Sequence, residues 1–197
     1  MQHSKQPSDD SRDKELMLLL RREKSESAMR ELILRNQNAV YAFAYRMLGN
    51  AADAEDITQR TFIRVWKAAP NYEPDAQFTT WLFTIAKNLI FNEGRRRKRK
   101  HSFSIEEYEE VAPGLLLDTG SEASPQESLL RNELSAQVDR ALAELPEKAR
   151  MAVQLRRFQE LSYEEIAHIL ETSVSATKSL LFRARQQLKE ALKHYLS

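Results

Sequence analysis

The sequence predicts an all-α protein of two small helical domains, joined by an acidic, flexible linker. Three observations lead there. Glycine and proline are scarce, 4 and 6 in 197 residues, and β-branched runs of strand length are absent, so local preference favours helix throughout. Apolar residues recur at spacings of three and four on either side of residues 101–130. That middle stretch holds Pro113, Gly114, Gly120 and Pro125 and shows no sustained helical period, so it reads as a linker. A chain of this length has room for one ordinary domain or two small ones. The expected divisions are a polar tail over 1–12, a first domain over 13–100, the linker over 101–130 and a second domain over 131–197.

In the first domain Met29, Leu32 and Ile33, then Val40, Tyr41, Ala44, Tyr45, Met47 and Leu48, mark amphipathic helix with a break near Gly49 and Asn50. Asp53 is suited to cap the next helix, whose apolar stripe is Ile57, Phe62, Val65 and Trp66 and whose other face is charged. Proline and acidic residues from Pro70 to Asp75 interrupt it. A further helix is expected from about Thr79 to Asn92, burying Trp81, Leu82, Ile85, Ala86 and Leu89. In the second domain Leu134, Val138, Ala141 and Leu142 suggest one helix and Pro146 opens another, where a missing N–H costs least. Ser162 and Glu165 have capping-box spacing, with Leu161 and Ile166 at the staple positions. The short helix Tyr163 to Leu170, the turn at Glu171 to Ser173 and a helix from about Val174 to His194 make a helix-turn-helix.

Charge excludes several classes and points to another. Mean hydropathy is −0.59 and no apolar run approaches the roughly 20 residues of a membrane span, so membrane insertion is not expected. The amino-terminal segment lacks the apolar core of a secretory signal, and the chain has no cysteine for disulfides, thiol nucleophiles or thiolate metal sites. The cytoplasm is the expected compartment. His3, His101, His168 and His194 are scattered, the four glycines are too far apart for a phosphate loop, and the Glu106 to Glu110 cluster lacks the pattern of a calcium loop. No enzyme, metal or cofactor is expected.

The net charge of +1 conceals two opposed blocks. Arg95, Arg96, Arg97, Lys98, Arg99 and Lys100 form an unbroken basic run, while residues 101–130 carry Glu106, Glu107, Glu109, Glu110, Asp118, Glu122 and Glu127 and no Lys or Arg. Six adjacent cations suit a polyanion, although a solvated surface or a localisation signal would read the same. Tyr72, Phe78 and Trp81 precede the run, and aromatics beside cations are what single-stranded DNA binding uses; the other reading is core packing, favoured for Trp66 and in part for Trp81. On the second helix of the helix-turn-helix, Lys178, Ser179, Phe182, Arg183 and Arg185 include groups that reach base edges and phosphates, the other reading being an exposed charged helix.

The order of motifs carries a resemblance. DAEDITQRTFIRVW (Asp53 to Trp66), FTTWLFTIAKNLIFNEGRRR (Phe78 to Arg97), ELPEKARMAVQLRRFQELSYEEIAHIL (Glu144 to Leu170) and SVSATKSLLFRAR (Ser173 to Arg185) together resemble the extracytoplasmic-function, group 4, sigma factors of bacterial RNA polymerase. The match covers sigma regions 2 and 4. The resemblance implies that Asp53, Glu55, Asp56, Gln59 and Phe62 dock on the clamp helices of the polymerase β′ subunit, with region 4 on the β flap. Arg60 departs from the Glu usual there. It implies that Asn88 lies near an extruded minus-10 base with Tyr72 beside the pocket, and that Phe78, Trp81, Asn92, Arg95, Arg96 and Arg97 complete that surface. Asn92 and Gly94 depart from the usual Asp and apolar residue.

The resemblance further implies minus-35 contacts from Ser175, Ala176, Lys178, Ser179, Phe182, Arg183 and Arg185. Ser175 and Ala176 replace the common Gly-Thr, and Leu180 stands where Arg is common, so a divergent or weaker minus-35 site is expected. Implied partners are core polymerase, promoter DNA and an anti-sigma factor. The linker reads equally as a nucleic-acid mimic or a solvated tether. The expected function is promoter-specific initiation, with two DNA-reading domains held at a fixed separation. The rival is an autonomous dimeric helix-turn-helix regulator, which leaves the Asp53 helix and the aromatic-basic segment without a role; a protein-protein adaptor is a third reading.

Overall fold

A computed structural model describes residues 7–101, 133 and 136–193, and among these the regular structure is helical throughout. The first domain comprises α1 (Pro7–Glu23), α2 (Glu26–Leu48), α3 (Ala51–Ala68), a single 3-10 turn (Ala69–Asn71) and α4 (Phe78–His101). The second comprises α5, described over residues 136–143, α6 (Glu147–Phe158), α7 (Tyr163–Ile169) and α8 (Val174–Ala191). The acidic linker with its seven carboxylates lies outside the described residues.

Local chemistry accounts for most boundaries. Ser25 caps α2, which ends at Gly49 in the left-handed region, φ 71°, with the Gly49 N–H donating to the Tyr45 carbonyl. Asn50, rather than Asp53, caps α3: its side chain accepts from the Asp53 N–H at 3.0 Å. Asp53 instead sits in the first turn, where a carboxylate meets the positive end of the helix dipole.

α4 is capped from a distance. The Asp10 carboxylate accepts from the Thr79 N–H at 3.0 Å and from its hydroxyl at 3.2 Å. Residues 7–12 are therefore not a tail, since they are helical and carry a buried carboxylate that starts another helix. α4 also continues past Asn92 through the arginine run. In the second domain the capping box is complete: the Glu165 N–H donates to Ser162 Oγ at 3.1 Å and the Ser162 N–H to Glu165 Oε2 at 2.7 Å.

Burial of Leu16, Met17, Leu32, Phe43, Ile57, Phe78, Leu82 and Phe83 holds α1 to α4 together, at about 1.5–3 kcal/mol for each large side chain. Phe43 and Phe83 meet edge to face with centroids 5.2 Å apart. Asp13, fully buried, accepts from Arg35 at 2.7 Å and from Asn36 at 3.3 Å, tying α1 to α2. Leu142, Leu145, Ala149 and Ala184 form a smaller cluster within the second domain.

The two domains touch, a contact that no motif in the sequence announces. Met151, Leu155, Leu161, Ile166, Ile169, Leu170 and Leu181 join the buried cluster of the first domain. α7 packs on α4, where Thr80 Oγ1 donates to Glu165 Oε1 at 3.0 Å and Lys87 Nζ meets Glu171 Oε1 at 2.7 Å. α6 packs on α2, and the Arg46 guanidinium lies 3.8 Å above the Phe158 ring.

Candidate nucleic-acid interface

The residues expected to dock on α3 divide into exposed ones and ones held in contacts within the chain. Glu55 and Gln59 are exposed. Asp56 pairs with Arg60 one turn on at 2.9 Å, so Arg60 neutralises its own helix's acidic edge. Asp53 pairs with Arg97 of α4. Phe62 faces inward and is buried, which corrects its expected place on the docking face. The large apolar residues α3 presents to solvent are Ile63 and Trp66, 52% and 39% exposed, so Trp66 is not the core residue its spacing suggested. Its position at the end of a mixed stripe, beside Lys67, is the signal the sequence offered.

On α4 the exposed residues Asn88, Asn92, Arg95 and Arg99 recur every three or four positions and form one stripe. Asn92 and Arg96 share an open cleft of about 530 Å³ with Asp53, Asp56 and Arg60, so two surfaces predicted separately adjoin. Arg96 grips buried Glu93 through two short contacts, 2.7 and 2.9 Å, and Glu93 holds the Arg96 guanidinium above its ordinary range. Arg97 pairs with Asp53 and donates to the Leu48 carbonyl at 3.1 Å. The run is thus divided: Arg95 and Arg99 face solvent, while Arg97 fastens α2 and α3 to α4.

The aromatics are corrected in the same way. Tyr72 and Phe78 are buried, so neither offers a ring face to a base in this structure. Trp81 packs on both, its centroid 5.1 Å from Tyr72 and 5.9 Å from Phe78, and keeps part of its surface exposed. It lies two turns before Asn88 on the same face. Sequence reasoning missed Lys87, a cation among the apolar positions Phe83, Ala86 and Ile90, which is itself buried.

On α8, Ser173 caps the helix by accepting from the Ala176 N–H at 3.1 Å. Ser175, Ala176, Lys178, Ser179, Phe182, Arg183 and Arg185 are all exposed. Lys178, Ser179, Phe182 and Arg183 line an open hollow of about 320 Å³. Phe182 is 62% exposed, an unusual placement for a phenyl ring. Tyr163 lies between two cations, 5.1 Å from Arg156 and 5.7 Å from Lys178. Leu180, expected to mark a lost DNA contact, points inward and packs against the apolar clusters.

A chain helical throughout its described residues, with a mixed polar and apolar face on α3, a polar stripe on one domain and a helix-turn-helix on the other, has the architecture of the sigma-70 class of initiation factors. Sigma-70 region 2 matches residues 32–100 and Sigma-70, region 4 matches residues 135–188. The chain belongs to the extracytoplasmic-function sigma factors of bacterial RNA polymerase. It is 35% identical to the RNA polymerase sigma-H factor of Pseudomonas aeruginosa, over 84% of this chain and 86% of that one. To the sigma factor SigW of Bacillus subtilis it is 32% identical, over 80% and 84%. Among solved structures, the sigma factor RpoE in complex with the anti-sigma factor NepR from Bartonella quintana superposes with a TM-score of 0.68 at 26% identity, covering 83% of this chain and 96% of that one. CnrH, in complex with the cytosolic domain of CnrY, shares the fold with a TM-score of 0.64 at 22% identity, over 95% and 98%.

Proposed function

We propose that this sigma factor brings core RNA polymerase to its promoters by reading minus-35 DNA with α8 and holding the melted minus-10 strand along α4. The polypeptide makes and breaks no covalent bond, and it works in the cytoplasm with the polymerase. The observation that carries the reading is the presence of two separate polar, exposed helix faces in one chain, Asn88, Asn92 and Arg95 on α4 and Lys178, Ser179, Phe182 and Arg183 on α8. Amide and hydroxyl groups beside cations suit base edges and phosphates. Trp81 is the aromatic left with surface for a base. Glu55, Gln59, Ile63 and Trp66 form the α3 face offered to the polymerase clamp. The complex of RpoE with NepR supports an anti-sigma factor as a further partner.

Run-off transcription with purified core enzyme tests the reading. Defined start sites are expected only when both components are present, and the protein alone leaves duplex promoter DNA unshifted. Tight duplex binding without polymerase would instead identify an autonomous regulator.

A further inference from the structure

We propose that the α4 face carrying Thr80 and Lys87 is a backbone-phosphate site for the open promoter strand, and that α7 and its turn cover it in the free chain with Glu165 and Glu171. The inference rests on the sigma-factor reading and adds a binding residue, Lys87, together with the internal group that masks it.

Thr80 and Lys87 are seven residues apart, two helical turns, and so share a face. Asn88, exposed, follows directly at its edge. Each of the two side chains meets a carboxylate oxygen of the other domain, at 3.0 and 2.7 Å. A hydroxyl and an ammonium are the donors that phosphate oxygens take, and a carboxylate oxygen on each is the nearest protein substitute for a phosphate.

Packing does not explain the pair. Lys87 is only 3% exposed, and an apolar residue in such a position usually stabilises a contact as well as a buried ion pair does. Glu171 sits in the left-handed region, φ 52°, where glycine would be unstrained. Its side chain is 75% exposed apart from the contact with Lys87. A strained turn that keeps a carboxylate, aimed at a buried ammonium, fits a contact made to be released.

Distance requires the release. Minus-10 and minus-35 lie about 25 base pairs apart by position, roughly 85 Å of duplex. Lys87 and Glu171 touch, and Lys178 is seven residues beyond Glu171, so even an extended connection holds Asn88 and Lys178 within roughly 40 Å. The closed chain cannot occupy both elements, and parting the domains uncovers Lys87 at the moment a strand is available to it.

The test uses the full chain with dyes on cysteines placed at Asn38 and Gln186, both exposed, in a protein with no other cysteine. Wild type is expected to give one short distance and to bind a dT20 strand weakly. Glu171→Gln, and Glu171→Gly, which also relaxes the turn, should lengthen the distance and tighten dT20 binding about tenfold, because only opening hydrates the stranded ammonium. Lys87→Met should stay closed and bind dT20 weakly. Unchanged distances in both Glu171 variants, or Lys87→Met binding the strand as tightly as they do, would overturn the inference. If the distances are unchanged while all variants direct run-off transcription, the cover alone is refuted; if wild type directs none, the sigma-factor reading itself falls.

Discussion

Tyr72 lies in the segment that the family resemblance places beside a captured base, yet its hydroxyl is buried without a hydrogen-bond partner, and burial, with the charges of Asp10 and Asp13, pushes its pKa up from 10 to about 12. Tyr72→Phe removes an unsatisfied polar atom and should raise stability at neutral pH by about 1 kcal/mol. The sign of the pH effect follows from the raised folded value. The stability contribution is whole below pH 10, where Tyr72 is protonated in both states, and is lost as pH rises toward 12, where only the unfolded chain readily ionises. Urea unfolding of both proteins should therefore diverge across that window, and a less stable phenylalanine variant at neutral pH would mean that the hydroxyl has a partner. Neighbouring arginines separate similarly. Arg97→Ala should cost about 1–2 kcal/mol through its part-buried contacts with Asp53 and the Leu48 carbonyl, whereas Arg95→Ala should leave stability within about 0.5 kcal/mol and reduce the salt dependence of promoter binding. Equal melting temperatures for the two variants would contradict that division.

Helix ends show which interactions a sequence displays and which it hides. The Ser162–Glu165 box and the Leu161–Ile166 staple are local, spaced by three and five residues, and the spacing alone identifies them. The Asp10 cap of α4 joins residues 69 apart, so nothing near Phe78 announces it and the polar run around Asp10 reads as a tail. Asp10→Ala should lower stability by about 1–2 kcal/mol, and removal of residues 1–12 should lower it further, as thermal melts would show; an unchanged melting temperature would restore the tail reading. Aromatic residues hide their role for another reason. Tyr72 and Phe78 have the composition of a stacking platform and of a core alike, and only the approach of α1, where Arg21 donates to the Tyr72 carbonyl at 2.8 Å, decides for the core. The α8 face was legible because its polar residues recur on a helix whose inward positions, Thr177, Leu181 and Ala184, are small or apolar. Phe182→Ala should accordingly weaken minus-35 binding with stability held within about 0.5 kcal/mol.

The contact between the domains was not legible at all, because it depends on the summed complementarity of α4 with α7 and of α2 with α6 rather than on any motif. Its consequence is quantitative. If core polymerase binds only the open chain, its apparent dissociation constant equals the intrinsic one divided by the open fraction, so a closed-to-open ratio of about ten weakens apparent binding about tenfold. Glu171→Gln should recover that factor at limiting core enzyme. At saturating core the advantage should vanish, since polymerase then pulls wild type fully open, and transcript yields should coincide. Lys87 holds the Glu171 carboxyl below its ordinary value of 4.5, so the contact is whole above that pH and fades as pH falls through the depressed value. Near neutrality the latch is therefore insensitive to pH, and its buried ammonium makes it less sensitive to salt than the exposed cations that meet DNA. Titrating core enzyme against labelled wild type and Glu171→Gln at two salt concentrations separates these effects: the ratio of their core affinities should hold nearly constant while promoter binding falls in both. A ratio that collapses with salt would place the closure in surface charge rather than in the contact made by the buried Lys87 ammonium.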